Sequence, residues 1–444
     1  MPLGAHEVMH GSACDAPATV PPAPTQLILH AFAAIGIELE YAIVAADTLD
    51  VLPIADWLLA QDAAASATDV VRGTYGWSNE LVLHVIEIKN LAPAATLVGV
   101  ADGFAAEVSA IDAVLSKRGA RLLPGAMHPW MNPVTQTQLW PHENAPIYRQ
   151  FDRIFDCARH GWANLQSMHV NLPFAGDAEF SRLHAAIRLV LPIIPALAAS
   201  SPFVDGVDAG CTDGRMAAYR DNAADFPAIG GEVIPPTMCS RAQYEAQILA
   251  PAYRAIAPHD PQALLQHEWL NAHGAIARFD RNAIEIRVTD TQECPRADIA
   301  IAGAIAAVVH MLYDEHSASL AMQQACTTEV LVTLLQRCIA FGETACIDGP
   351  AGTAYLRLLG YPAAACSGRQ LWHYLIENLP VAPGIGGTDP GALGHILEQG
   401  TLATRLRRAA GAQPSHARLR AVYGELADCL QARRMFDGDL VARA

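Results

Sequence analysis

Positive charge is scarce in this chain. Its 444 residues carry 29 Lys and Arg against 45 Asp and Glu, a formal net charge of -16. No basic run is present, and so few cations make no basic face without segregation, which argues against nucleic-acid binding. None of the 10 cysteines falls in a C-x-x-C pair, which argues against a zinc knuckle or a thioredoxin-type motif. Reduced, mostly buried thiols of a cytoplasmic protein are the expectation. The first 25 residues have neither the basic start nor the apolar middle of a signal peptide. The most apolar stretch, Ile187 to Phe203, is broken by Arg188, Pro192, Pro195 and Pro202, so no membrane span is expected. GIGGTDPG (residues 384–391) lacks the G-K-[ST] ending of a P-loop. HEWLNAH (residues 267–273) spaces its histidines wrongly for H-E-x-x-H, and no G-x-S-x-G elbow occurs.

The sequence is rich instead in a repeated two-residue pattern. Four strand-like segments each hold two polar residues two positions apart among apolar neighbours: Glu38 and Glu40 in GIELEYAIV, Glu87 and Lys89 in VIEIKN, His169 and Asn171 in SMHVNLPF, and Glu285 and Arg287 in AIEIRVTD. Residues i and i+2 of a strand point to one face, about 7 Å apart. Any half-buried antiparallel sheet with one wet face shows the same alternation, and a lone histidine in such a strand is more often a satisfied core residue than a ligand. Glutamate, however, is depleted in strands, and three of the four segments carry it centrally. Gathered in one sheet, they make a polar floor of carboxylates, an imidazole and cations, suited to a divalent metal and a polyphosphate.

The rest of the chain reads as α+β with a mixed or antiparallel sheet, because strands and helices alternate without βαβ regularity. Residues 1–26 read as a disordered arm, in which His6 and His10 lack a fold to make them ligands. Residues 27–313 read as one catalytic domain, and 314–444 as a C-terminal helical region packed on it. Within these, Leu27–Val44 and Leu81–Lys89 are expected as strands. Ala55–Ala67, Ala94–Lys117, Ile147–Arg159, Phe180–Ala199 and Arg241–Ile256 are expected as helices. Trp269–Arg278 and Ala283–Thr289 pair through an FDRN turn, and Ala297–Tyr313 is a helix apolar all round. Ser200–Pro236 reads as a long loop in which Arg215 and Arg220 are well placed for a mobile anion clamp, a solvated loop arginine being the more common case. The helix Ala417–Arg434 serves core packing or oligomer contact, which leaves a homo-oligomer open.

In this order the segments resemble the glutamate–cysteine ligase family of the second bacterial type, carboxylate–amine ligases related to glutamine synthetase. GIELEYAIV resembles the family's G-x-E-x-E strand, ELVLHVIEIKN its second acidic strand and SMHVNLPF its H-V-H strand. LAASSPFVDG with DGRMAAYR and IPP resembles its serine–proline and arginine loop, and WLNAHGAIARFDRNAIEIRVTDTQE its closing strand pair. The resemblance spans Leu27 to Met311. It implies a curved, largely antiparallel sheet with helices on its outer side. It also implies ATP and two or three Mg²⁺ (or Mn²⁺) on the concave face, and activation of the γ-carboxylate of glutamate as an acyl phosphate that an amine such as cysteine displaces. Glu38, Glu40, Glu87, His169 and Glu285 would be metal ligands. Arg287, with Arg215 and Arg220, would act on the phosphoryl group or the substrate carboxylate, and Lys89 and Asn171 would contact nucleotide or substrate. Two positions depart from the family pattern: Leu39 replaces the middle acid of G-x-E-E-E, and Asn171 the second histidine, which leaves the amine open. A guanidino- or carboxylate-kinase on the same fold and a non-catalytic amino-acid or nucleotide sensor are the competing readings.

Overall fold

The computed structural model describes residues 28–62, 68–379 and 389–439. The N-terminal arm, with His6, His10 and Cys14, lies outside the described residues, as do Ala63–Ala67 and most of the glycine-rich 384–391 stretch. An eight-stranded sheet runs in the order β2-β3-β4-β1-β6-β10-β9, with β5 also paired to β1, and every pairing is antiparallel. The strands are β1 (Gly36–Ala45), β2 (Asp69–Arg72), β3 (Tyr75–Asn79), β4 (Val85–Asn90), β5 (Ala120–Leu123), β6 (Ser167–Pro173), β9 (Ala275–Arg278) and β10 (Ala283–Asp290). A small separate hairpin supplies β7 (Phe203–Val204) and β8 (Val207–Asp208). The α+β expectation holds.

Alternation dictates which face of the sheet is buried against helices. Ile37, Leu39, Tyr41 and Ile43 of β1, Ile86 and Ile88 of β4, Val170 of β6 and Ile284 and Ile286 of β10 all enter one apolar core. Three long helices supply its other half. Val100–Leu115 starts at Gly99, whose φ of 77° is open to glycine, and buries Phe104, Val108, Ile111 and Leu115 at helical spacing. Gly176–Val190 and Pro295–Tyr313 lie beside it in the same layer. The last begins with Pro295, where the missing N–H costs nothing. By length and composition it could cross a membrane, yet it is mostly buried, packed between its two neighbours and β6. Leu39, the departure from the family's acid run, is fully buried in this core. An acid there would face the helices and not the floor.

The helices after Asp314 seal the structure at two places. Trp372 donates its indole N–H to the Ile193 carbonyl at 2.8 Å, and Tyr355 its hydroxyl to the Leu189 carbonyl at 2.6 Å. Helices Leu402–Ala410 and His416–Ala432 bury Leu402, Leu406, Val422, Tyr423 and Leu426 against Ala42, Val44, Leu123 and Phe203. The amphipathic segment near 417–434 is thus core packing.

Several expected boundaries shift. The first strand starts at Gly36, because residues before it turn rather than extend. The hairpin β2–β3 has no counterpart in the sequence reading, since its short, polar, glycine-containing strands carry no clear period. The helix expected over Ala55–Ala67 is Ala55–Leu59. Around Pro251 the Arg241–Ile256 helix widens into a π turn, Glu245–Leu249, before continuing, as a proline without an N–H demands. Trp269 lies in a short 3₁₀ turn, and the strand begins only at Ala275. Beyond Asp348 a helix runs over Gly349–Leu358. The stretch expected as one long loop is built: it holds the β7–β8 hairpin and the helices Gly214–Tyr219 and Pro227–Gly230.

Candidate functional site

Strand register brings the paired residues together. Glu38 stands opposite Lys89 on β4 and His169 on β6, and Glu40 stands opposite Glu87. Ser78 of β3 faces Glu87, and Glu285 of β10 faces Asn171. Gly36 lies beside Asn171, where a Cβ would come within 3.0 Å of the asparagine Cβ. Between Ile286 and Thr289 the β6–β10 register shifts. Arg287 and Val288 there oppose His169 alone, a β-bulge. The Arg287 amide donates to Gly274 and its carbonyl is left to accept from Arg215.

His169 is the hub. Its Nδ1 lies 3.0 Å from Glu38 Oε2 and 3.7 Å from Glu285 Oε1. Its Nε2 lies 2.9 Å from Ser167 Oγ and 3.7 Å from Glu40 Oε1. Glu40 accepts from the Ser167 amide at 2.8 Å and Oγ at 3.1 Å. Glu87 accepts from Ser78 Oγ at 2.6 Å and pairs with Lys89 at 3.0 Å. Glu285 pairs with Arg287 at 2.9 Å and Arg278 at 3.3 Å, and Asn171 donates to Glu38 at 3.2 Å.

The charges shape one another. Burial pushes the Glu40 carboxyl upward, and Glu87 adds to it, against the pull of His169 and Ser167. Burial, Glu40 and Glu87 drive Glu80 well above the carboxylate range. Burial also works to raise Glu38 and Glu285, but His169 and Lys89 carry the first below its usual value, and Arg287, His169 and Arg278 the second. His169 moves the other way. Burial would depress it, and Glu38, Glu40 and Glu285 hold it up.

These residues floor an open cavity of about 530 Å³. Ligand atoms of Glu38, Glu87 and His169 lie within 4.8 Å of one another, and so do those of Glu40, Glu80 and Glu87. Opposite chemistry comes from Tyr148, Phe151, Trp162 and Trp269, which line the same cavity over a small satellite core.

Eight of the ten residues singled out in the sequence line the cavity: Glu38, Glu40, Glu87, Lys89, His169, Glu285, Arg287 and Arg215. Asn171 is not in the lining and reaches the floor through Glu38. The mobile clamp is corrected. Arg215 lies in the helix Gly214–Tyr219, 1% exposed, with Nε 2.5 Å from Asp290 and both Nη atoms 3.3 Å from the Arg287 carbonyl. It braces the backbone beneath Arg287. Arg220 is corrected too: it ends that helix in solvent, pairs with Asp221 at 3.2 Å and is absent from the cavity lining. The sequence reading missed Glu80, Arg278 and Arg281, which line the cavity. Glu80 follows β3 in a turn, and the arginines sit at the β9 end and in the FDRN turn, so no strand period marks them. A glutamate directly before the apolar Leu81-Val82-Leu83 was the available signal.

An acid-rich floor with flanking arginines thus lies on an antiparallel sheet backed by helices, and known proteins share this arrangement. The fold is shared with the glutamate–cysteine ligase of Francisella tularensis, crystallised in complex with AMP. That likeness has a TM-score of 0.54 at 13% identity, over 90% of this chain and 89% of that one. The sequence profile of glutamate-cysteine ligase family 2 matches residues 34–356, and the chain belongs to that family. An uncharacterized protein of Archaeoglobus fulgidus is 33% identical over 281 residues, 63% of this chain and 75% of that protein. A Bradyrhizobium protein named "Putative glutamate--cysteine ligase 2" is 26% identical over 63% of this chain and 62% of its own length. The chain therefore spans less than two thirds of that named relative.

Proposed function

We propose that this chain uses ATP to join a carboxylate, with glutamate the expected one, to an amine. The observation that carries the reading is the convergence of Glu38, Glu40, Glu80, Glu87, His169 and Glu285 on one cavity floor, with Arg287 beside them. Five carboxylates and one imidazole are a hard, oxygen-rich donor set that fits Mg²⁺ or Mn²⁺. Burial raises Glu40 and Glu80, and neighbouring carboxylates add to it, so a bound cation would favour their ionised forms. Two overlapping triads, Glu38–Glu87–His169 and Glu40–Glu80–Glu87, would hold such ions, with Glu285 beside the first. Bound there, a divalent cation neutralises charge on the ATP phosphates and on the transferring phosphoryl group.

The chain's own groups do the remainder. A substrate carboxylate oxygen attacks the γ-phosphorus and ADP leaves, giving an acyl phosphate. The amine nitrogen then attacks the acyl carbon, phosphate leaves, and the amine proton passes to solvent. Arg287 keeps its Nε toward Glu285 and can turn its remaining N–H groups to the phosphoryl oxygens. Arg215 fixes the Arg287 backbone from below, and Lys89, tied to Glu87, adds positive charge at the far side of Glu38. The nine described cysteines are all free, in keeping with a cytoplasmic enzyme.

The test is a phosphate-release screen with ATP, Mg²⁺ and glutamate against a panel of amines. Release that requires both a carboxylate and an amine is expected. ADP formed with one acceptor that stays phosphorylated would establish a kinase instead, and no phosphate with any pair would overturn the reading.

A further inference from the structure

The helix Leu402–Ala410 lies beyond residue 356, where the family match ends, yet two of its side chains reach segments that hold Arg215. Arg407 grips Asp208 with a fork, Nε to Oδ2 and Nη2 to Oδ1 at 2.7 Å each. It also donates to the Cys211 carbonyl at 2.8 Å and to Thr212 Oγ1 at 3.4 Å. The next residues run straight into the site. Asp213 caps the Gly214–Tyr219 helix by accepting from the Met216 amide at 2.8 Å, and Arg215 is its second residue.

Arg405 acts on the other side. Fully buried, it pairs with Glu293 at 2.5 Å and donates to the Phe436 carbonyl at 2.6 Å. Glu293 follows Asp290 by three residues, and the Asp290 carboxylate holds Arg215 Nε at 2.5 Å and Ser201 Oγ at 2.8 Å. Ser201 Oγ in turn accepts from the Arg215 amide at 3.0 Å. One helix thus anchors the segment before Arg215 and the chain three residues past Asp290. A bidentate fork that also takes a backbone carbonyl constrains direction as well as distance.

We infer that the helix Leu402–Ala410 is a positioning element of the site, with Arg407 a positioning residue that sets Arg215, and through it the Arg287 backbone. This rests on the ligase reading for its kinetic consequence and not for its structural one. If Arg287 acts on the transferring phosphoryl group, a small displacement is felt in the transition state more than in substrate binding.

The experiment uses the full chain with Arg407→Ala, Asp208→Ala and the double variant. The Arg407 side chain is 29% exposed, so its loss leaves the fold standing, whereas Arg405 is fully buried. In Arg407→Ala, amide exchange over residues 212–219 should speed up about 10-fold with the sheet amides unchanged. The kcat for phosphate release should fall about 10- to 100-fold with the KM for ATP within about two-fold. The double variant should fall below Arg407→Ala only by the loss of the bond from the Gly210 amide to Asp208, since the fork between the two side chains can be removed only once. Unchanged exchange over 212–219, or unchanged kcat beside faster exchange, would overturn the inference. Should wild-type protein release no phosphate with any substrate pair, the ligase reading falls, and the exchange measurement alone decides whether Arg407 holds the Arg215 segment.

Discussion

The two faces of the central sheet are made by alternate residues of the same strands and obey opposite rules. On the helix-backed face, Ile37, Leu39 and Tyr41 stabilise the protein by leaving water and filling space. On the cavity face, one position along, Glu40 is nearly as buried and Glu38 partly so, and both stand among like charges. Burying charge is costly unless it is paired, and these carboxylates are only partly compensated by His169, Ser167 and the flanking cations. The first face holds the fold and the second holds potential for chemistry, with about 3 Å of chain between them.

Substitutions should separate the two faces. Glu40→Gln keeps the shape and the acceptor for Ser167 and removes one charge. It should lower turnover about 10²-fold or more, while the melting temperature at neutral pH stays level or rises, because Glu40 is held there against its preference to protonate. Phosphate release and a thermal melt check both halves, and a fall in both would erase the contrast. Leu39→Ala should do the reverse: about 2–5 kcal/mol of stability lost, with kcat per folded molecule within about two-fold, read by urea denaturation and active-site titration.

Histidines sharpen the comparison. His169, on the cavity face, is raised by its carboxylates against its burial. Burial lowers His84 and His128 each from 6.5 to about 4, although each hydrogen-bonds a carbonyl and Asp50 pulls His128 the other way. The unfolded chain then takes up protons that the folded one refuses. Stability is full above about pH 6.5 and is lost as pH falls toward about 4, by up to about 3 kcal/mol per histidine. Denaturation midpoints across that range check the slope, and removing either histidine should flatten it. The smallest expected effect belongs to Arg220→Ala. It lies outside the cavity, so kcat/KM should stay within about two-fold in the same phosphate assay.

The cavity face was legible because strand period and residue type conflict there: glutamate at strand centres is hard to explain by propensity alone. The fold class, the FDRN turn, with Asn282 at a φ of 51°, and the buried Pro295–Tyr313 helix were legible from alternation, turn chemistry and apolar content. Other parts carry no local period. Glu80 enters from a turn and Arg278 from a strand end. Arg215 reads as a loop cation because nothing nearby in sequence announces Asp290, 75 residues away. The grip of Arg407 on Asp208 spans 199 residues, a distance at which only the folded chain makes neighbours.

The bulge at Arg287 and Val288 has a consequence for how this protein tolerates insertion and deletion. One surplus residue lets Glu285 keep step with β6 while Asp290 advances to meet Ser200, Ser201 and Arg215. Losing a single codon there would restore an even ladder and disconnect its two ends. The glutamate would still look at the cavity while the aspartate turned away from the arginine it anchors, so a frame-preserving lesion of one residue could silence the enzyme without unfolding it.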